Sequence, residues 1–407
     1  MVRQMAVALC LVLMIFAAGS FGQGFRNPPP GMEALSQGGA FTAQADDASA
    51  VFINPAGLVQ IQENQFLIST NFLMSSTKFS NGILAGEKQN ESAFLGDIYL
   101  VIAPTGAKYR FGLAVTTPYG QKTEWDPALT KNAWLCQVPY LSEMSFYDVS
   151  PALAVAVNEQ FSVGFALDFY RSAVKTVQIY PWSFLGPFTD GTATLKGDGT
   201  ALGGKIGLHY HNGPHRIAAV WNAPFSIDYS GSFFLTEIPI PGFFPQTDSR
   251  VKIQYPEIFS FGYAWSKNRL RLQTEAEYVR YSCLKSIPVD IGPDNALPGF
   301  LTDIPKNWKD VWNLSFGIAY RVKPNWEISG GVGFIRTPVP DATFDPSLPD
   351  ADRTIFSLGS TFFVRKATIE LVYVYNLFQS REIKTGGFLG TYKSSGSFIG
   401  LQYAQSF

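Results

Sequence analysis

The chain has 407 residues, with 31 Lys plus Arg against 32 Asp plus Glu, and equal shares, 15% each, of charged and aromatic residues. Such a balance offers no basic excess to grip phosphates and argues against nucleic acid as a partner. Length alone would allow two or three soluble domains, so the choice falls to patterning along the chain.

Met1 to Gln4 carries one Arg, Met5 to Phe16 is apolar, and Ala17-Ala18-Gly19-Ser20 is small. That order is the signature of a secretory signal, too short for the ~20 apolar residues of a membrane helix. Residues 1–22 are read as a signal peptide, cleaved between Ala18 and Gly22. Cys10 lies inside the apolar run rather than after it, which argues against a lipoprotein anchor. Cys136 and Cys283 are too few for a disulfide framework, and their spacing does not say whether they pair. No later stretch reaches the length of a membrane helix, so an exported chain without an anchor is soluble or a barrel.

Gly24 to Glu63 shows neither sustained alternation nor a long amphipathic repeat, and holds Pro28-Pro29-Pro30, Gly38-Gly39, Asp46-Asp47 and Asn54-Pro55-Ala56-Gly57. From there on the chain alternates. Trp312, Leu314, Phe316, Ile318 and Tyr320 interleave with Asn313, Ser315, Gly317 and Ala319. Trp326, Ile328, Val332 and Phe334 repeat the pattern, as do Phe356, Leu358 and Phe362, and then Ile369, Leu371, Tyr373, Tyr375 and Leu377. Successive strand side chains point to opposite faces, so one face is greasy and ends in aromatics while the other is small or polar. Aromatic girdles outside and Gly, Ser and Ala inside favour a membrane barrel over a sandwich, whose core would be mostly Leu, Val and Ile.

Short turns fall near Thr105–Lys108, Asn158–Gln160, Asn212–His215, Lys267–Arg269, Lys323–Asn325 and Arg365–Lys366. Longer segments fall between them, near Lys78–Asn90, Tyr119–Glu143, Tyr180–Gly191, Leu235–Thr247, Ile287–Asn307, Pro338–Asp350 and Ile383–Gly390. Alternating short turns and long loops predict an all-β antiparallel transmembrane barrel of about 14 strands in the bacterial outer membrane. The last strand carries Ile399, Leu401, Tyr403 and Phe407 on one face and ends on Phe407. A barrel that wide conducts water unless plugged. Residues 23–63 are therefore expected to fold as a plug inside a wall built from residues 64–407.

The run from Gly38-Gly39-Ala40-Phe41 through Asn54-Pro55-Ala56-Gly57-Leu58 resembles the hatch of the FadL-type transporters of long-chain fatty acids and other hydrophobic compounds. Further matches follow in order: Pro118-Tyr119-Gly120 with Trp125, Tyr255-Pro256 before Phe261-Gly262-Tyr263, Trp308 before Phe316-Gly317, and Pro349 to Arg353. The resemblance covers the mature chain. It implies a hatch centred on Asn54, Pro55, Ala56 and Gly57, although Asn-Pro also reads as an ordinary turn. It implies capture of a fatty acid or an aromatic hydrocarbon outside, then lateral release to outer-membrane lipids through a kinked third strand. Here that strand is Arg110 to Thr117, with Gly112, Pro118 and Gly120 as kink residues, although Pro118 also reads as a plain strand end. A terminal aromatic like Phe407 resembles the signal read by the barrel-assembly machinery, and the working unit is expected to be a monomer.

The long loops are unusually apolar for segments facing water. Trp134, Leu135, Trp182, Phe184, Phe233, Phe234, Phe243 and Phe244 are therefore expected either to pack together or to form a capture surface. Parity puts Lys205, His209, Arg271, Glu275 and Glu277 inside the wall. The only histidines, His209, His211 and His215, cluster at one short turn, so neither a metal site nor a hydrolase triad is expected, and no cofactor. The rival readings are a channel for monoaromatic hydrocarbons and a structural, adhesin-like surface barrel without transport.

Overall fold

The computed structural model describes residues 23–89, 91–240, 246–292 and 303–407. The signal segment 1–22 and the loop residues Phe243, Phe244, Leu297, Phe300 and Leu301 lie outside them.

The alternating segments form a single antiparallel wall. Its first strands are β1 (Gln65–Ser80), β2 (Glu91–Ile102), β3 (Tyr109–Thr116), β4 (Leu141–Ala156), β5 (Phe161–Tyr180) and β6 (Gly191–Asn212). Three interrupted strands follow: β7 (His215–Asn222, then Phe225–Leu235), β8 (Gln246–Tyr255, then Glu257–Lys267) and β9 (Leu270–Arg280, then Ser286–Asp290). The wall ends with β10 (Asp303–Pro305, then Val311–Lys323), β11 (Trp326–Ile335), β12 (Arg353–Val364), β13 (Ala367–Phe378) and β14 (Gly390–Ser406). Gln65 to Ser80 of β1 pair with Ser406 to Thr391 of β14, which closes a barrel of fourteen strands. Closure is what lets strands cross a bilayer, because every ladder hydrogen bond is then made within the wall.

Alternation sets the two faces. Trp312, Leu314, Phe316, Ile318 and Tyr320 are 44–52% exposed and point outward, while Asn313, Ser315 and Ala319 are buried. Ile399, Leu401, Tyr403 and Phe407 are on the outer face as well. Crossing a bilayer takes only ~9–11 residues of strand, yet β6 runs for 22. The excess stands above the membrane on the long-loop side. Phe233 and Phe234, expected in a loop, accordingly belong to β7, where they pair with Leu195 and Thr194 of β6. The Ser230-Gly231-Ser232 run reads as a turn, but it stays paired with β6 and with β8, so the strand continues through it to Leu235.

The hatch fills the lumen. It contains α1 (Met32–Ser36), α2 (Ala50–Ile53) and a 3₁₀ turn over Pro55–Gln60. The inward glycines seat it. A methyl at Gly164 would lie 2.2 Å from the Ala56 nitrogen, and one at Gly207 2.1 Å from Asn54 Oδ1. The small inner face read as a lumen lining is thus largely a contact surface for the hatch. Gly112 belongs to this set rather than to a kink. It pairs regularly with Val101 of β2, and a Cβ there would meet Val51 at 2.4 Å.

Candidate functional site: an aromatic chamber beside a break in the wall

Asn54 holds the turn at the base of the hatch. Its side chain accepts from the Ala56 N–H at 3.1 Å and donates to the Thr42 carbonyl at 2.9 Å, with the whole residue buried. Pro55 follows as the first residue of the 3₁₀ turn, where its missing N–H costs nothing. Ser162 of β5 donates to the Ala56 carbonyl at 2.9 Å, and Gly57 sits tight against Ala45. Asn54, Pro55, Ala56 and Gly57 therefore come together as one docked unit.

Charged wall residues hold the rest of the hatch. Arg26 makes a two-pronged pair with Glu277 of β9, both bonds at 2.6 Å. Arg271 pairs with Glu33 of α1 and with Glu327 at 2.9 Å. Glu275 accepts from the Phe41 and Thr42 N–H groups, both at 3.0 Å, and His209 contacts the Ala43 carbonyl at 2.9 Å. Lys205 lies 3.2 Å from Asp168 and 4.0 Å over the Phe52 ring. Buried charges must be paired to be tolerated, and here the pairing also fixes where the hatch sits.

Beside the hatch the wall is broken. β3 and β2 match from Ile102↔Phe111 up to Ile98↔Val115, where the ladder stops. Pro118 has no N–H to extend it. The segment 117–120 turns inward and joins the hatch instead. The Asn27 N–H donates to the Pro118 carbonyl at 2.9 Å, the Gly120 N–H to the Phe25 carbonyl at 2.9 Å, and Asn27 Nδ2 to the Thr117 carbonyl at 2.9 Å. The chain rejoins the wall at Gln121–Glu124, one residue out of its earlier register with β4.

The inward turn carries Tyr119 into a group of rings from separate strands. Its centroid is 4.8 Å from Tyr255 and 4.9 Å from Phe146. Phe225 stacks on Tyr255 at 4.6 Å and on Tyr170 at 4.1 Å. Tyr229 and Tyr255 share a hydroxyl contact of 2.8 Å. Such offset and edge-on arrangements add to the stability of simple burial. Below the rings is a cavity of ≈ 70 Å³ bounded by Arg26, Pro29, Phe52, Tyr119, Tyr170 and Phe225. Small-molecule sites typically span about 300–1,000 Å³, so a ligand of that size must displace rings or hatch.

Above the chamber the loops close inward. α3 (Pro127–Trp134) is capped by Asp126, whose carboxylate accepts from the Ala128 N–H at 2.8 Å. Trp134 meets Trp125 at 5.1 Å and Phe79 at 5.0 Å, and Trp125 donates to the Pro346 carbonyl at 2.9 Å. Trp182 donates to the Thr236 carbonyl at 2.9 Å. The apolar loop residues thus divide. Trp134, Trp182 and Phe233 are buried, Phe234 is half-buried, and Leu135 and Phe184 are 61% and 63% exposed. Burial alone would raise the Asp345 carboxyl, but the Lys306 ammonium at 2.9 Å and the Ser347 amide hold it below the ordinary carboxylate range. Cys136 is buried, Cys283 half-buried, and both are free thiols.

Sequence reasoning missed Phe146, Tyr170, Phe225, Tyr229 and Tyr255 as a group. The available signal was an aromatic at inward parity among small and polar neighbours, as with Tyr170 between Asp168 and Ser172. A family model described as outer membrane protein transport protein (OMPP1/FadL/TodX) matches residues 31–407. The chain belongs to that family. A long-chain fatty acid transport protein of Salmonella typhi is 22% identical over 417 residues, covering 93% of each chain. A Pseudomonas aeruginosa FadL homologue of known structure superposes with a TM-score of 0.82 at 20% identity, over 94% of this chain and 100% of that one. The Ralstonia pickettii toluene transporter TbuX does so with 0.71 at 17% identity, over 95% and 100%. Family membership and the closed barrel place the protein in the bacterial outer membrane as a transport protein for hydrophobic compounds.

Proposed function

We propose that the protein takes up a lipophile of the fatty-acid or aromatic-hydrocarbon class, gathering it at the loops, passing it by the aromatic chamber and releasing it sideways to outer-membrane lipids. The observation that carries this reading is the departure of 117–120 from the wall beside the ring cluster. An apolar ligand gains ~0.8 kcal/mol per buried methylene, which favours a route lined by rings and opening on lipid over one through a polar, hatch-filled lumen. Leu135 and Phe184 are among the exposed apolar loop residues available for first contact. Relatives carry fatty acids or toluene by name. The stacked, flat chamber around Phe225 and Tyr255 favours an aromatic ring as second substrate class. Residues 1–22 direct export, Phe407 is the assembly signal, and the barrel works as a monomer. The chain's work is binding and passage rather than bond-making.

The test is uptake of labelled oleate and of labelled toluene by cells that lack other such channels, with and without the chain. Faster uptake of either supports transport. Equal uptake overturns it and returns the chain to an adhesin-like role. Mass spectrometry of lipophiles that co-purify with the barrel then separates the substrate classes.

A further inference from the structure

The wall is also interrupted between β6 and β7. These strands match from Asn212↔His215 to Lys205↔Asn222, and again from Asp198↔Ser230 to Ala193↔Leu235. No register pair joins residues 199–204 to residues 223–229, and the register has slipped by one residue across the interval. Ala223 gives a single backbone bond to Gly204, at 2.9 Å. The sequence accounts for the break. Pro224 has no N–H, Pro256 lacks one on the neighbouring strand, and Gly203 and Gly204 bring no side chains to fill the space. The rows Thr116↔Asp148, Asp148↔Tyr170 and Tyr170↔Ala201 link the end of β3 to the middle of this interval. The β3 break and the β6–β7 interval therefore belong to one row of the barrel.

On the lipid side the interval opens as an apolar groove of ≈ 640 Å³, bounded by Leu153, Phe165, Leu167, Leu202, Trp221 and Pro224. On the inner side is the chamber cavity, and Lys205 and Ala223 line both. Tyr170 covers Gly203 from within, where a methyl would lie 2.6 Å from its ring, and Phe225 stacks upon it. Lys205, Ala223 and the Gly203 backbone under the Tyr170 ring thus stand between groove and chamber. Both rings, Tyr170 and Phe225, belong to the chamber cluster.

We propose that the β6–β7 interval is a second lateral port, through which the same lipophile passes between the chamber and the bilayer when Tyr170 and Phe225 swing aside. The occupant follows from continuity: the groove faces acyl chains and shares its inner wall with the chamber. This inference rests on lateral release, and its test separates the two. Cys136 and Cys283 are first replaced by Ser. Gly96→Cys with Thr117→Cys then spans the β2–β3 break, and Leu202→Cys with Ser226→Cys spans the β6–β7 break. Each pair is bridged by a short bismaleimide, and the same variants without the bridging reagent serve as folding controls. Uptake of labelled oleate is measured throughout. The expected result is that each bridge alone lowers uptake but leaves a residue, and that the two together abolish it. A β6–β7 bridge without effect, alone or added to the other, overturns the second port and leaves lateral release standing. Undiminished uptake with both bridges overturns lateral release itself.

Discussion

Asn54→Ala tests how the hatch is held. The substitution removes a buried cap on the Ala56 N–H and a buried bond to the Thr42 carbonyl, which is then left without that donor. Losing such a cap costs about 0.5–2 kcal/mol, and an unsatisfied buried carbonyl about 1–3 kcal/mol. A combined loss of about 3 kcal/mol corresponds to roughly a hundredfold in an equilibrium constant. The loss falls on hatch docking, because neither bond belongs to a ladder of the wall. Hydrogen exchange followed by mass spectrometry reads it directly. Amides of 42–60 should exchange roughly a hundredfold faster, while those of β10 and β11 keep their protection. Asn54→Asp, which keeps the acceptor and loses the donor, should fall between. Unchanged hatch exchange, or equal acceleration of hatch and wall, would refute the claim that Asn54 holds a separately docked unit.

Glu277→Gln takes the charge from the half-buried partner of Arg26 and should loosen the hatch start by about 1–3 kcal/mol. Proteolysis within residues 23–27 measures it, with Arg26→Gln added to restore part of the loss. Gly112→Leu forces a side chain into Val51 and should displace the hatch, raising ion conductance in planar bilayers, whereas the outward Leu113→Ala should not. The loop cap gives a pH dependence. Because the Asp345 carboxyl is held below its ordinary value of about 3.9, its pairing with Lys306 stabilises the loop above that pH and is lost as pH falls through the lowered folded value. Cleavage of the 338–350 loop by an acid-active protease should accelerate in that window, and Asp345→Asn should remove the acceleration.

The wall was legible because period-two alternation is local. The row from Trp312 to Tyr320 names its own outer face, and the short turns fix how strands pair. The hatch turn was legible because Asn54 and Pro55 act on neighbouring residues. What joins distant parts was not. Pro118 marks a strand end in the sequence, but nothing there says that Thr117 and Gly120 will find Asn27 and Phe25, some ninety residues away. The ring cluster draws Tyr119 from the inward turn and Phe146, Tyr170, Phe225 and Tyr255 from four separate strands, so no window contains it. Gly112 and Phe233 were misread for opposite reasons. A glycine serving close approach looks the same as one serving a bend, and Ser230-Gly231-Ser232 reads as the end of a strand although the ladder runs through it to Phe233 and Phe234.

Lateral release at the β3 break is the central claim, and bridging Gly96→Cys to Thr117→Cys tests it most directly. These positions would face each other if the β2–β3 register ran on past Ile98↔Val115. With the bridge in place, uptake of labelled oleate should fall well below that of the same variant left unbridged, while bound ligand still co-purifies with the barrel. Equal uptake in the bridged and unbridged forms would contradict the account.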